Sequence, residues 1–220
     1  EVKDFAQILS RWSDCIVARV NDHSTLVDLQ KHSTIPVINS LCNLYHPCQS
    51  MADFLTISEH YSDLSKVKLA YIGDGNNVTN SLFIAGAIFG ATVTAVCPPS
   101  HMPDKNIMQI AQALAKKTGG KISVTHSIEE IKNYDLVYGD TWLSMGDKTP
   151  LEAIKNTFMP YQINQQLLEK TGIKHVLHCQ PAHRGLDITT EVMDGPASLI
   201  FDQAENRMHM QNALMIKLLT

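Results

Sequence analysis

Short apolar runs alternate with amphipathic helical patterns along the whole chain, from a helical pattern at residues 2–12 to another at residues 206–220. This alternation predicts β-α-β units, in which the strands run parallel and helices cover both faces of the sheet. The predicted strands lie at residues 15–20, 35–41, 68–72, 92–97, 121–125, 136–139 and 176–177. We therefore expect an α/β protein with a doubly wound parallel sheet, whose ligands bind at the carboxyl ends of the strands.

Composition and charge narrow the class of partner. The 220 residues include 18 Lys and Arg against 22 Asp and Glu, a formal net charge of −4, and the basic residues are scattered. This leaves no basic surplus for nucleic acid or a membrane surface, and no apolar run approaches the roughly 20 residues that span a bilayer. The five cysteines lack CxxC spacing, which disfavours a disulfide framework or zinc site and indicates a reducing compartment. We expect a cytoplasmic protein.

The segment at residues 174–185, KHVLHCQPAHRG, places polar groups directly after a predicted strand. Pro181 sets a turn, so that His178, Cys179 and Gln180 lie at the carboxyl end of that strand. An imidazole, a thiol and exposed backbone groups there can polarise a carbonyl or stabilise negative charge. A cysteine after an apolar strand is more often a packed core residue, so this segment alone leaves both interpretations open.

Two stretches in the first fifty residues carry candidate ligands for an anion or a carbonyl. Arg19 ends an apolar strand, where it is either a ligand or a surface side chain that covers apolar neighbours with its stem. His46 and Gln49 flank Pro47, which suits the first turn of a helix. The free N–H groups of a helix N-terminus favour oxygen-rich ligands. The simpler alternative is a helix cap with a surface histidine.

The loop GDGNN at residues 73–77 joins a strand to a helix, but it lacks the GxGxxG spacing of dinucleotide-binding folds. A nicotinamide cofactor is therefore disfavoured. Asn76 and Asn77 suit a turn and a helix cap, and with Asp74 they also suit recognition of an amino-acid head group.

The segment DTWLSMGD begins where the predicted strand at residues 136–139 ends. Asp140 lies at that strand end, where a carboxylate can fix an ammonium group or orient a thiol; its simpler role is to cap the next turn. Ser144 and Met145 follow in a loop that can line a small polar pocket.

Taken together and in order, these stretches resemble the ornithine enzymes of the aspartate/ornithine carbamoyltransferase family over essentially the whole chain. The matching segments are ARV at Arg19, LYHPCQSMADFLTI, GDGNN, DTWLSMG, HCQP and AENR, which ends at Arg207. The SMG loop separates the ornithine enzymes from the aspartate enzymes. The resemblance implies two doubly wound parallel-sheet domains, of which the first is incomplete. Residues 1–47 would be a partial carbamoyl-phosphate-binding domain with the C-terminal helix 206–220 packed back on it, and residues 48–205 an ornithine-binding domain.

The resemblance also implies the reaction and the roles of individual residues. Carbamoyl phosphate and L-ornithine would give L-citrulline and phosphate in a homotrimer or a multiple of trimers, with no metal and no organic cofactor. The implied catalytic residues, which also bind substrate, are Arg19, His46, Asp140, Cys179 and Arg207. The other implied binding residues are Gln49, Asn77, Ser144, Met145 and Gln180.

Two departures from the family pattern affect this interpretation. The Ser-Thr-Arg-Thr motif that binds carbamoyl phosphate is not present in these 220 residues, so we expect the sequence to be part of a longer protein. Gln180 stands where the family usually has Leu, which can change the polarity of the pocket. The rival functions are carbamoyl transfer to another amine, such as putrescine or an acylated ornithine, and a non-catalytic binding fragment.

Overall fold

The computed structural model describes residues 1–142 and 149–220, which form two parallel β-sheets with helices packed around them. The first sheet pairs β1 (Ile16–Arg19) with β2 (Val37–Leu41). The second has the strand order β5-β4-β3-β6-β7, and each neighbouring pair is parallel. Its strands are β3 (Lys68–Ile72), β4 (Thr92–Val96), β5 (Lys121–Thr125), β6 (Leu136–Gly139) and β7 (His175–His178). The predicted α/β class with parallel sheets is confirmed.

The α-helices of the described residues follow the strands in the predicted alternation. They are α1 (Val2–Trp12), α2 (His23–His32), α3 (Pro47–His60), α4 (Asn77–Phe89), α5 (Lys105–Thr118), α6 (Leu151–Phe158), α7 (Gln165–Thr171), α8 (Thr190–Met193) and α9 (Ile200–Leu219). None of the helices in residues 1–142 and 149–220 is long and apolar enough to cross a lipid bilayer.

Local capping chemistry explains where several helices begin and end. Pro47 occupies the first turn of α3, as predicted, because its missing N–H would have no partner there. Asp22 caps α2, because its carboxylate accepts from the N–H of Ser24 at 2.9 Å. The C-terminal helix begins at Ile200 rather than at residue 206, since neither Pro nor Gly interrupts that segment.

Both faces of the five-stranded sheet are buried, because successive side chains of a strand point to opposite faces. On β3, Leu69 and Tyr71 pack into one core with α3, α4 and α5, while Ala70 and Ile72 pack into a second core with α7 and α8. Burying a side chain such as Leu or Ile contributes roughly 1.5–3 kcal/mol relative to exposure. The two cores together hold the strand ends in fixed positions.

The direction of winding reverses between β3 and β6. From β3 the chain builds β4 and β5 on one side, then returns to build β6 and β7 on the other. At such a switch point the loops after the two central strands separate and leave a crevice. The loop after β3 is held close to a neighbouring loop: a Cβ on Gly75 would lie 2.2 Å from the backbone N of Pro103, so only glycine fits.

Helix α9 returns to pack along α3. The contact is partly polar, because Asn206 donates to Thr56 at 3.0 Å and to Glu59 at 2.9 Å. This packing brings Arg207, near the end of the chain, next to the first turn of α3.

Candidate active site

The loop after β3 and the end of β6 meet at the switch point through a hydrogen bond between Asn76 and Asp140. The amide nitrogen of Asn76 donates to Asp140 Oδ2 at 2.6 Å. The amide oxygen of the same residue caps α4 by accepting from the N–H groups of Val78 at 2.9 Å and Thr79 at 3.4 Å. Since the cap fixes which way the amide faces, the only group that Asn76 can present to Asp140 is a donor.

Asp140 is 5% exposed and accepts two further hydrogen bonds on its other oxygen. The N–H of Thr141 donates at 2.7 Å, and the thiol of Cys179 donates at 2.8 Å from the end of β7. Three donors therefore surround this carboxylate, as a buried charge requires. Asp140 and Cys179, two candidates from the sequence, are thus in direct contact.

The Cys179 thiol is a protonated donor. Burial raises the pKa of this thiol well above its usual range, and the adjacent Asp140 carboxylate raises it further. A nucleophilic cysteine needs the opposite environment, in which positive groups stabilise the thiolate. Cys179 also packs partly buried against the apolar core, as the simpler interpretation of the sequence expects.

A second buried carboxylate shapes the turn after Cys179. The N–H of Gln180 donates to His178 Nδ1 at 3.1 Å, which places the ring proton on Nε2, and Nε2 donates to Asp187 at 2.8 Å. The Gln180–Pro181 peptide is cis, and the amide oxygen of Gln180 accepts from the N–H of Ala182 at 2.9 Å. The polar end of Gln180 is thus partly used within its own turn.

His46 is the N-cap residue of α3 and is 7% exposed, and its imidazole makes no capping hydrogen bond. Its backbone N–H donates to the hydroxyl of Ser81 at 2.7 Å, while Nδ1 finds no hydrogen-bond partner among the described residues. Burial lowers the pKa of His46 to about 4, and the positive charges of Arg207 and Arg19 add to the effect. The ring is therefore neutral at pH 7, and its orphaned nitrogen is available to a ligand.

Arg207 and Gln49 form a direct contact beside His46. Arg207 Nη1 donates to Gln49 Oε1 at 2.5 Å, and Gln49 Nε2 donates to Asp53 Oδ1 at 2.8 Å. Arg19 lies at the end of β1, is exposed, and is near enough for its charge to act on His46. The structure thus gathers Arg19, His46, Gln49 and Arg207 around the N-terminus of α3.

Three predicted residues remain: Asn77, Ser144 and Met145. Asn77 donates to the backbone carbonyl of Cys42 at 2.7 Å, which ties α4 to the segment before α3. Ser144 and Met145 lie outside the described residues. Among residues 1–142 and 149–220, no three His, Cys, Asp or Glu side chains are grouped to hold a metal ion.

Three polar residues next to these groups were not predicted from the sequence. They are Asp53, Gln203 and Asp187, which are 0%, 0% and 2% exposed. A usable signal existed for the first two: Asp53 follows Gln49, and Arg207 follows Gln203, by four residues, which places each pair on one helix face. Asp187 carried no such signal, because it lies in a loop.

Comparison with known proteins identifies the relatives of this chain. The model of the carbamoyl-P binding domain of aspartate/ornithine carbamoyltransferase matches residues 1–59, and the model of the Asp/Orn binding domain matches residues 65–218. Ornithine carbamoyltransferase of Moritella profunda is 66% identical over 218 residues, which make up 99% of this chain and 72% of that protein.

Solved structures give the same result. That of the ornithine carbamoyltransferase from Pyrococcus furiosus has a TM-score of 0.92 at 42% identity, over 97% of this chain and 69% of that one. An acetylornithine transcarbamylase complexed with acetylcitrulline has a TM-score of 0.88 at 29% identity, over 100% of this chain and 72% of that one. With a domain model that matches most of its residues and relatives of this identity, the chain belongs to the aspartate/ornithine carbamoyltransferase family.

Proposed function

We propose that this protein transfers the carbamoyl group of carbamoyl phosphate to the δ-amine of L-ornithine and so forms L-citrulline and phosphate. The observation that carries the proposal is the buried Asp140 carboxylate, which accepts from Cys179 and Asn76 at the switch point of the sheet. A carboxylate and a neutral thiol in a crevice suit a primary amine. The hydroxyl of Tyr138 lies near both Asp140 and Asp53. Because Asp53 is bonded to Gln49, the proposed ornithine pocket around Asp140 lies next to the Gln49–Arg207 contact.

On the carbamoyl phosphate side, neutral and positive donors face a polar electrophile. Arg19 and His46 donate to the carbonyl oxygen, where negative charge develops in the transition state. Gln49 orients the carbamoyl amide, and Arg207 binds near the phosphate. A neutral His46 suits this role, because a neutral imidazole still donates one N–H.

On the acceptor side, Asp140 and Cys179 position the δ-amine, while Asn77, Ser144, Met145 and the backbone at Gln180 complete the pocket. The amine attacks as the neutral form, with its nitrogen lone pair directed at the carbonyl carbon. The new C–N bond replaces the C–O bond to phosphate, and the surplus proton of the amine and the released phosphate together make hydrogen phosphate. Holding both reactants in this geometry supplies a large part of the rate enhancement.

We propose the oligomeric state, the lack of a cofactor and the location from the family resemblance. The protein is a homotrimer or a multiple of trimers, with active sites completed across subunit interfaces, and it needs no organic cofactor or metal. Cys15, Cys42, Cys48, Cys97 and Cys179 are all free, in keeping with a cytoplasmic location. The domain boundary at residues 47–48 stays a prediction.

Steady-state kinetics with a panel of acceptors tests the function. Full-length protein is supplied with carbamoyl phosphate and with ornithine, putrescine or N-acetylornithine, and the carbamoylated products are quantified. We expect ornithine to give the highest kcat/KM. A higher value for either rival amine would reassign the acceptor, and ligand binding without turnover would indicate a non-catalytic protein.

Equilibrium binding of the two substrates tests the assignment of Asp140. Asp140→Asn removes a charge-assisted contact worth roughly 1.5–3 kcal/mol, so ornithine affinity should fall roughly 10- to 100-fold while carbamoyl phosphate affinity changes little. Asp194→Asn is the matched control, because Asp194 forms an exposed ion pair with Arg184. Equal weakening of both ligands contradicts the assignment.

A further inference from the structure

Asp53 is the centre of a buried hydrogen-bonded chain that connects three elements. It lies on α3 with no exposed surface, and its Oδ1 accepts from Gln49 Nε2 at 2.8 Å and from Gln203 Nε2 at 2.6 Å. Gln203, on α9, is also fully buried, and its Oε1 accepts from the backbone N–H of His178 at 2.8 Å. His178 is the last residue of β7 and precedes Cys179.

The chemistry of the two ends fixes the direction of every bond in this chain. Arg207 can only donate, so Gln49 must present its oxygen to Arg207 and its NH2 group to Asp53. The backbone N–H of His178 can also only donate, so Gln203 must present its oxygen to β7 and its NH2 group to Asp53. The position between the two amides therefore requires an acceptor of two hydrogen bonds, which a carboxylate oxygen provides.

This hydrogen-bonded chain connects the carbamoyl phosphate side of the proposed site to the ornithine side. One end holds the Gln49–Arg207 contact on the carbamoyl phosphate side, and the other end holds the strand that presents Cys179 on the ornithine side. Removing one member of such a buried chain leaves a buried donor unpaired, which costs free energy and loosens its neighbours.

We propose that Asp53 and Gln203 are positioning residues, which keep the Gln49–Arg207 contact in register with the end of β7. Neither residue touches a substrate; both act through Gln49, Arg207 and the backbone of His178. The inference rests on the proposed carbamoyl transfer and adds two residues to it that serve both substrates together.

The test compares Gln203→Leu with Asn206→Leu in the full-length protein. Both variants replace a buried amide on α9 with an apolar side chain of similar size, but Asn206 bonds to Thr56 and Glu59 and takes no part in the chain around Asp53. Thermal unfolding measures stability, steady-state kinetics give kcat and the KM for ornithine, and calorimetry gives the Kd for carbamoyl phosphate.

We expect Gln203→Leu to weaken carbamoyl phosphate binding at least tenfold and to lower kcat/KM for ornithine at least tenfold. Asn206→Leu should lower the unfolding temperature by a similar amount and leave both constants within twofold of wild type. If Gln203→Leu lowers only stability, or if the two variants behave alike, the positioning role is overturned. Should Gln203→Leu fail to fold, Gln203→Asn keeps the amide on a shorter side chain and carries the same two expectations.

Rescue by a conservative change gives an independent measurement. Asp53→Asn keeps one oxygen that can accept from both glutamines, so its kcat and its Kd for carbamoyl phosphate should stay within about threefold of wild type. Asp53→Leu has no such oxygen, so it should show the same losses in binding and turnover as Gln203→Leu. Equal losses in the two Asp53 variants would contradict the acceptor role. If wild-type protein forms no citrulline, the proposed function fails, and the Kd for carbamoyl phosphate alone decides the inference: an unchanged Kd in Gln203→Leu overturns it.

Discussion

The double substitution Asp140→Asn with Asn76→Asp tests separately the hydrogen bonds and the negative charge of the proposed ornithine pocket. In wild type, three donors approach the two carboxylate oxygens of Asp140. In Asp140→Asn, the introduced amide has only one oxygen to accept from them. If that oxygen faces Cys179 and Thr141, the new NH2 group meets the NH2 group of Asn76 at the position of the present 2.6 Å contact. Asn76 cannot turn around without losing the cap of α4.

The energetic consequence follows from the burial of the pair. Asp140 is 5% exposed, and losing a hydrogen bond to a charged group at a buried site costs roughly 1.5–3 kcal/mol. The double variant Asp140→Asn with Asn76→Asp restores donor-to-acceptor matching, since Asp caps a helix about as well as Asn. We expect the double variant to recover stability to within about 1 kcal/mol of wild type.

Ornithine binding should not recover in the same way. The negative charge in the double variant lies on the loop after β3 instead of the end of β6, away from Cys179, so affinity for the amine should stay at least roughly tenfold reduced. Urea unfolding at one protein concentration measures stability, and calorimetry measures ornithine affinity. A double variant that stays as unstable as Asp140→Asn refutes the hydrogen-bond reasoning, and one that binds ornithine normally refutes the placement of the charge.

Three further outcomes follow from the pKa shifts. The imidazole of His46 should give the NMR signals of a neutral ring from pH 8 to about 5; because its pKa of about 4 lies below the unfolded value of 6.5, it should remove about 3 kcal/mol of stability as pH falls from 6.5 through 4. Burial raises the pKa of Asp53 from 3.8 to about 7, so wild type should lose stability, on the order of 4 kcal/mol, as pH rises from about 4 through 7, and urea unfolding of Asp53→Asn should show no such loss. Cys179, whose pKa lies well above its usual range, should react with iodoacetamide at pH 8 more slowly than free glutathione, and faster alkylation would indicate a thiolate.

The strands along the chain and the parallel class of the sheet were predictable, because local patterns carry them. Apolar runs bounded by turn residues mark strands, and the carboxyl ends of parallel strands meet at one edge of the sheet. Asp140 and Cys179 each follow such a run, so the fold class places both at one edge of the sheet. Their 2.8 Å contact depends also on the pairing of β6 with β7 and on side-chain packing. Their roles in binding ornithine stay predictions, as does the pocket lined by Ser144 and Met145.

The buried chain around Asp53 was not predictable in the same way. Its contacts join α3 to α9 across most of the sequence, and only tertiary packing determines which polar residues of the two helices face each other. Asp53 by itself suggests an ordinary solvated position within a helix, since a charged residue is rarely buried without a partner. The start of α9 was missed for a related reason: no side-chain cap marks it at Leu199.

In the proposed site, the electrophile meets a neutral imidazole near two arginines, and the nucleophile meets a carboxylate beside a protonated thiol. Burial and two nearby arginines keep His46 neutral, while burial and Asp140 keep the Cys179 thiol protonated. Neither group then changes charge near pH 7 in the absence of substrate. The group whose ionisation decides reactivity is the δ-amine itself, a primary alkyl amine with a solution pKa of roughly 10, similar to lysine. In the proposed site, Asp140 attracts this amine in its charged form. The attack then requires that the amine lose a proton beside a carboxylate that already accepts three hydrogen bonds. Those three donors weaken the preference of the site for the unreactive ammonium form, which is a physical reason for surrounding Asp140 with them.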